Sequence, residues 1–409
     1  MTEKKLASTL QPAAQTQLAR NLWAVPGLRA VQRFMLVAPI MVPFFAHYGQ
    51  DLQAILLLES IYACVVLVME LPSGYLADRL GRVTVLRLGA LFWSSSWLLL
   101  LGVNDFSGLV LFEIFTGLGS SLLSGADLAL LYDSERALQR GESARSNRTV
   151  RNLFVVGMAA EGLAALSATA LLMFSGIELV ILLQAICGVS VLLASLLLLE
   201  PPVRRGQLRS LSGESEVLWQ VLSALWQQST LMRRLLGALC LWPLVNFLAI
   251  WLTQAVWVEL ELTLVHFGWI WCILQVVAAL TGQLAHRVET WLGAYGTIQV
   301  IGVTALAGIS VLAIGQLVWA LAGAGLLFAA RGVFAVLFTD ALNSRIDGDY
   351  RATINSLIGF GLRLGFVIAA SIFGLVFDVM GLWATVLSLL LLAVLVFAGL
   401  LLPLARQLR

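Results

Sequence analysis

The chain has 409 residues, 60% of them hydrophobic and only 12% charged, with a formal net charge of +2 and a mean hydropathy of +0.93. So much apolar surface exceeds what a soluble core can hide, and the composition points to an integral membrane protein. The small charge excess, with no compact basic run carrying interleaved aromatics, argues against nucleic acid as a partner.

The polar opening, residues 1–29, carries Lys4, Lys5 and Arg20 but no short apolar core followed by a small-residue cleavage site. It reads as a cytoplasmic tail, with the first span itself inserting the chain. Twelve apolar runs follow, near 30–48, 52–73, 83–103, 107–131, 152–174, 177–199, 235–257, 264–285, 291–314, 316–339, 353–378 and 382–404. Each is about the length a helix needs to cross a bilayer core. The expected fold is therefore all-α, with twelve transmembrane helices in two six-helix bundles, residues 30–199 and 235–404. Between them, residues 200–234 open with Pro201, Pro202, Arg204 and Arg205. From Glu214 to Gln228 the apolar residues Val217, Leu218, Val221, Leu222 and Leu225 recur at helical spacing, as in an amphipathic helix lying on the inner membrane surface. Residues 405–409 form a short tail. Lys and Arg fall on alternate connections, which places both termini in the cytoplasm; the expected location is the inner (plasma) membrane. Cys64, Cys187, Cys240 and Cys272 are widely spaced inside apolar runs and read as packing residues rather than as disulfides or metal ligands.

Between spans 2 and 3 the chain reads Gly74-Tyr-Leu-Ala-Asp78-Arg79-Leu-Gly81-Arg82. Two glycines allow a backbone reversal there, and three charged side chains keep it in water. This stretch resembles the loop between the second and third helices of the major facilitator superfamily, whose pattern is Gly-x-Leu-Ala-Asp-Arg-x-Gly-Arg. A weaker copy, Gly282-Gln-Leu284-Ala285-His286-Arg287, lies 208 residues later, with His286 in place of Asp78, so the chain looks like two related halves. In the family the loop's Asp sits at the start of helix 11, and its last Arg pairs with an acid at the end of helix 4. The resemblance thereby implies a conformational switch built from Gly74, Asp78, Arg79, Gly81, Arg82 and Asp133. It also implies that helices 1, 4, 7 and 10 surround a central cavity, with helices 2, 5, 8 and 11 at the contact between halves. The stretch from Ser124 to Ser134 looks like bacterial members of the efflux or multidrug type.

The distribution of polar residues agrees with that arrangement. Arg33, His47, Glu113, Asp127, Asn246, Gln254, Arg331 and Asp340 fall on the implied cavity helices, and Glu59, Glu70, Glu161, Gln275 and Arg363 on the contact helices. The middles of spans 3, 6, 9 and 12 carry no charge. Charges retained in a bilayer core face a cavity or a partner. Glu59 and Glu113 read either as carriers of a coupling proton or as fixed structural acids. Asp127, Asn246, Gln254 and Arg331 are candidates for a substrate cavity, although Asp127 and Asp340 lie close enough to span ends to serve as caps or ion-pair partners. Arg331 would anchor an anionic group of the substrate, or Asp127. Arg33 and His47, near the ends of span 1 as read here, fit snorkelling side chains. Arg363 either pairs with Glu70 across the halves or bonds carbonyls of its own helix around Gly359, Gly361 and Gly365.

Glu113-Ile-Phe-Thr-Gly117-Leu-Gly119 stands where many proton-driven members have Arg-x-x-x-Gly-x-Gly, an exchange of a base for an acid. Span 5 has Gly157 and Glu161-Gly162 but lacks the Gly-Pro pair of many exporters. The 13 tryptophans suit a pocket for flat or cationic compounds, or else interface anchors and helix packing. No phosphate loop, nucleophile triad or metal cluster marks an enzyme, and no cofactor is implied. The expected function is proton-coupled secondary transport of a small organic compound, amphipathic or cationic, exported by alternating access. Its partners are the substrate, protons and the lipid bilayer. The rival readings are proton-driven uptake of a polar metabolite, and a non-transporting scaffold or sensor that keeps the fold.

Overall fold

The computed structural model describes residues 18–138, 144–201, 230–343 and 351–408. These residues are helical almost throughout, in thirteen α-helices: α1 Asn21–Arg33, α2 Met41–His47, α3 Leu52–Leu80, α4 Arg82–Leu99, α5 Phe106–Leu123, α6 Ala126–Ala137, α7 Ala144–Phe174, α8 Ile177–Ser195, α9 Thr230–Glu259, α10 Leu264–Leu312, α11 Leu317–Asn343, α12 Arg351–Val396 and α13 Leu402–Gln407. No strand occurs among the described residues. The amphipathic segment expected from Glu214 to Gln228 lies outside them.

Ten helical segments among the described residues are long and apolar enough to cross a membrane. Two of them, Leu264–Leu312 and Ser356–Gln407, contain 49 and 52 residues. At ~1.5 Å per residue each would reach roughly 75 Å if straight, more than twice a bilayer core of ~30 Å. Each is interrupted by one glycine outside the helical region, Gly293 at φ 67° and Gly381 at φ 79°. Both lie in the left-handed half of backbone space, where a side chain would be strained.

The first span departs from the sequence reading at its start and in its middle. Its apolar segment runs from Asn21 to His47, nine residues earlier than expected, because a polar face between Asn21 and Arg33 is buried against other helices instead of ending the span. Its middle is also not helical. α1 stops at Arg33, the chain passes through a short 3-10 turn at Ala38–Ile40, and α2 resumes at Met41.

The chain divides into two compact units, Met1–Ala38 with Val65–Glu214, and Pro39–Cys64 with Ser215–Arg409. In the first, α4 packs on α5 and α8, and α1 packs on α6, α7 and α8. Close approach of α4 and α5 depends on Gly119, where a Cβ would lie 2.7 Å from the backbone nitrogen of Trp93. Trp93, Trp97 and Phe112 stack edge to face beside it, with centroids 6.2 and 5.1 Å apart. In the second unit α10 packs along α11, and α9 packs on α2, α11 and α12. Gly308 and Gly323 meet there, a Cβ on Gly323 falling 2.6 Å from the Gly308 carbonyl oxygen.

Candidate functional site

At one end of the first unit, α3 stays helical through Gly74, Asp78 and Arg79 to Leu80, so the turn is confined to Gly81, at φ 105°. The nine-residue hinge expected from the sequence is thus a helical extension followed by a one-residue break. Asp78 and Arg82 straddle that break and meet at 2.8 Å, while the Arg82 Nε lies 3.7 Å from Asp133 on α6. Arg79 is exposed and its Nη1 donates to the Tyr75 hydroxyl at 3.3 Å.

Glu200, just beyond α8, accepts hydrogen bonds from the Arg82 and Val83 amides at 3.1 and 2.8 Å. These are among the first N–H groups of α4, which have no partner within the helix, and a carboxylate there also meets the positive end of the helix dipole. The Arg87 guanidinium donates to the Leu198 carbonyl at 3.2 Å and ties the same two elements together. Sequence reasoning missed Glu200, since an acid opening a linker carries no local mark of a cap for a helix 118 residues away.

Deeper in this unit, α1 presents two arginines one turn apart. Arg29 forms an ion pair with Asp127 on α6, whose side chain is only 4% exposed, and Asp127 also accepts from the Leu128 amide at 2.7 Å. Arg33 Nη1 donates to Glu161 Oε1 on α7 at 2.8 Å, with 49% and 23% of the two side chains exposed. Gly157, one turn before Glu161, leaves α7 so near that a methyl there would touch the Cγ atoms of Arg33 and Arg29 at 3.5 and 3.8 Å. Twelve residues of helix separate Asn21 from Arg33, about 18 Å of rise. Arg33 is therefore a mid-span residue and not a snorkelling one. Arg29 falls in the stretch whose sequence reads as a tail, which hides its place in span 1.

Buried amides hold the irregular parts of span 1. Asn21 donates to the Ser134 hydroxyl at 2.9 Å and the Leu199 carbonyl at 2.6 Å, and accepts from the Leu199 amide at 3.0 Å. Within the break, the Leu36 amide donates to Gln184 Oε1 at 2.6 Å. In the second unit, the Val42 amide at the start of α2 donates to Gln254 Oε1 at 3.0 Å. Backbone freed from a helix at membrane depth needs such partners, which explains two buried glutamines in apolar helices. Gln254 therefore has a structural duty beside its expected place on a cavity helix. Asn246 is buried and donates to the Trp242 carbonyl of its own helix at 3.3 Å.

Glu113 on α5 and Glu59 on α3 are both buried, at 2% and 7% exposure, and Glu70 is half-buried. In the second unit the Arg331 guanidinium lies over the Phe328 ring, 5.5 Å from its centroid. Arg363 folds back along its own helix, its Nη1 3.2 Å from where a Cβ on Gly359 would be. At the position of the second loop copy, His286 Nε2 sits 3.0 Å from Asp340 and Nδ1 3.6 Å from Glu289, all on exposed side chains. His47 ends α2 and is exposed. The unit also holds a small cavity of about 50 Å³ between α9, α10, α11 and α13, apolar except for Glu289 and Thr297. No group of three or more His, Cys, Asp or Glu able to hold a metal ion occurs among the described residues.

Residues 28–370 match the family model of the Major Facilitator Superfamily. A curated "Uncharacterized transporter" of Buchnera aphidicola subsp. Schizaphis graminum (strain Sg) is 30% identical over 108 residues, which are 25% of this chain and 27% of that protein, so the matched stretch spans about a quarter of either. Among solved structures, the nucleoside transporter NupG aligns with a TM-score of 0.71 at 14% identity, over 94% of this chain and 98% of that one. A POT family transporter in complex with 5-aminolevulinic acid aligns with a TM-score of 0.68 at 14% identity, over 97% of each chain. At such identities the likeness concerns the fold.

Proposed function

Since this chain belongs to the Major Facilitator Superfamily, we propose that it is a proton-coupled secondary transporter that exports a small amphipathic organic compound by alternating access. The glycine breaks at Gly293 and Gly381 support counting α10 and α12 with its continuation as two crossings each, hence twelve spans, with both termini cytoplasmic by the placement of Lys and Arg. The observation that carries the transport reading is the set of charged side chains kept at membrane depth and matched to partners in span 1. A scaffold gains nothing from such groups, each of which costs at least ~2.5 kcal/mol to insert. The switch is assigned to Gly74, Asp78, Arg79, Gly81, Arg82 and Asp133, where one arginine is shared between two acids beside a single-residue hinge.

Glu59 and Glu113 are assigned the coupling proton, since a buried carboxyl is the group most easily kept neutral in one state and ionised in another. The test uses proteoliposomes with an imposed pH gradient and an internal pH-sensitive dye. Candidate substrates are screened on the unaltered protein, and then Glu59→Gln and Glu113→Gln are compared with it. At least one substitution should abolish the proton flux that accompanies transport. If both variants keep full proton-driven transport, neither residue carries the coupling step.

A further inference from the structure

The two arginine pairs of α1 differ in a way that bears on what the protein carries. Arg29 and Asp127 are closed off, at 17% and 4% exposure, and Asp127 spends its second oxygen on a backbone amide. Arg33 and Glu161 are open, at 49% and 23%. One bond of 2.8 Å joins Arg33 Nη1 to Glu161 Oε1. Among the described residues, the rest of the guanidinium's five donors and the carboxylate's second oxygen have no partner. Donors left open at membrane depth are sustained by water and not by lipid, so this edge belongs to an aqueous space. Both residues, with Gly157 between the helices that carry them, lie within the first unit.

Arg29, Arg33, Asp127 and Glu161 sum to zero formal charge. In a poorly screened interior, a ligand of net charge would leave that sum uncompensated, whereas a zwitterion would not. The geometry points to a zwitterionic head group as the ligand of the Arg33–Glu161 pair, its carboxylate on the open edge of the guanidinium and its ammonium on the free oxygen of Glu161. Binding there adds two charge-assisted bonds to the one already present. An anion alone, or a cation alone, would make only one of the two and leave its own charge uncompensated. The assignment rests on the transporter reading above and narrows its substrate class.

Matched probes test it with the purified full chain in detergent: phenylalanine and alanylphenylalanine, each with its methyl ester, a cation, and its N-acetyl derivative, an anion. Calorimetric titration should find the zwitterion bound about tenfold or more tighter than either derivative in at least one set. The double variant Arg33→Gln with Glu161→Gln keeps the site neutral and should level the three forms. The exchanged pair Arg33→Glu with Glu161→Arg should retain the preference. Equal affinities in the unaltered protein, a preference for ester or acetyl form, a zwitterion preference that survives in the double glutamine variant, or no binding of any probe would each overturn the assignment. Proton-driven flux of a screened substrate that is unchanged in the double glutamine variant would also overturn it, while leaving the transporter reading in place.

Discussion

Neutralising the closed pair of α1 separates a structural ion pair from an incidental contact. Arg29→Met keeps most of the side-chain stem and removes the charge, and Asp127→Asn keeps an oxygen for the Leu128 amide, now 2.7 Å away. Either change alone leaves one charge without its partner in a place where the carboxylate is 4% exposed. Breaking such a pair from one side costs about 3–5 kcal/mol. The 17% exposure of Arg29 gives its charge some access to water, which puts the expectation near ~3 kcal/mol for each single variant. The double variant removes both charges together with the buried Arg29 Nε, which has no hydrogen-bond partner, and should return to within ~1 kcal/mol of the unaltered protein. Unfolding by denaturant titration in detergent micelles, followed by far-UV circular dichroism, gives the four free energies. Costs that simply add, within ~0.5 kcal/mol, would refute the pairing as an energetic unit.

Other outcomes follow from the same geometry. Gly119→Ala should lower stability by ~1–3 kcal/mol, because the backbone of Trp93 lies where the new methyl must go. Gly325→Ala, with nothing within 4 Å, should raise stability by up to ~1 kcal/mol, and melting temperatures in the opposite order would contradict the helix contacts described. Glu200→Ala should cost about 1 kcal/mol and speed hydrogen exchange at the Arg82 and Val83 amides, whereas unchanged exchange there would remove its capping role. Asp105 caps α5, and the Ser107 hydroxyl first, then the Gly108 amide, hold its carboxyl below the ordinary 3.8. Since the unfolded state binds the proton more readily, its stabilising contribution is full above that ordinary value and is lost as pH falls through the lowered one. Asp105→Asn should flatten this acid-side dependence in a pH series of melting temperatures, and an unchanged slope would show that the cap does not titrate as described.

The membrane class of this protein was legible in its sequence because the length and apolarity of a span are local properties, set by bilayer thickness and not by neighbours. The turn before Arg82 was legible for a similar reason, since a glycine among charged residues between two apolar runs marks the end of a helix wherever it occurs. Its length was not, because Gly74 is compatible with either a helix or a loop, and α3 continues through it to Leu80. Span 1 shows the boundary most plainly. Asn21 and Arg29 look like the residues of a polar tail until α6 and the chain just after α8 supply partners that let them be buried or paired. Its break after Arg33 likewise depends on Gln184 and Gln254, which lie 148 and 212 residues from the amides they satisfy. Which acid each arginine meets is settled by helices brought together across up to 128 residues of chain, and a bond at 2.8 Å leaves no periodicity in the sequence to announce it. Composition and pattern determined that charges would be kept inside the membrane. Only the packing of the helices decided that Asp127 would be closed off by Arg29 and that Arg33 and Glu161 would keep an open edge, because exposure depends on which side chains surround a group and not on the residues beside it in the chain.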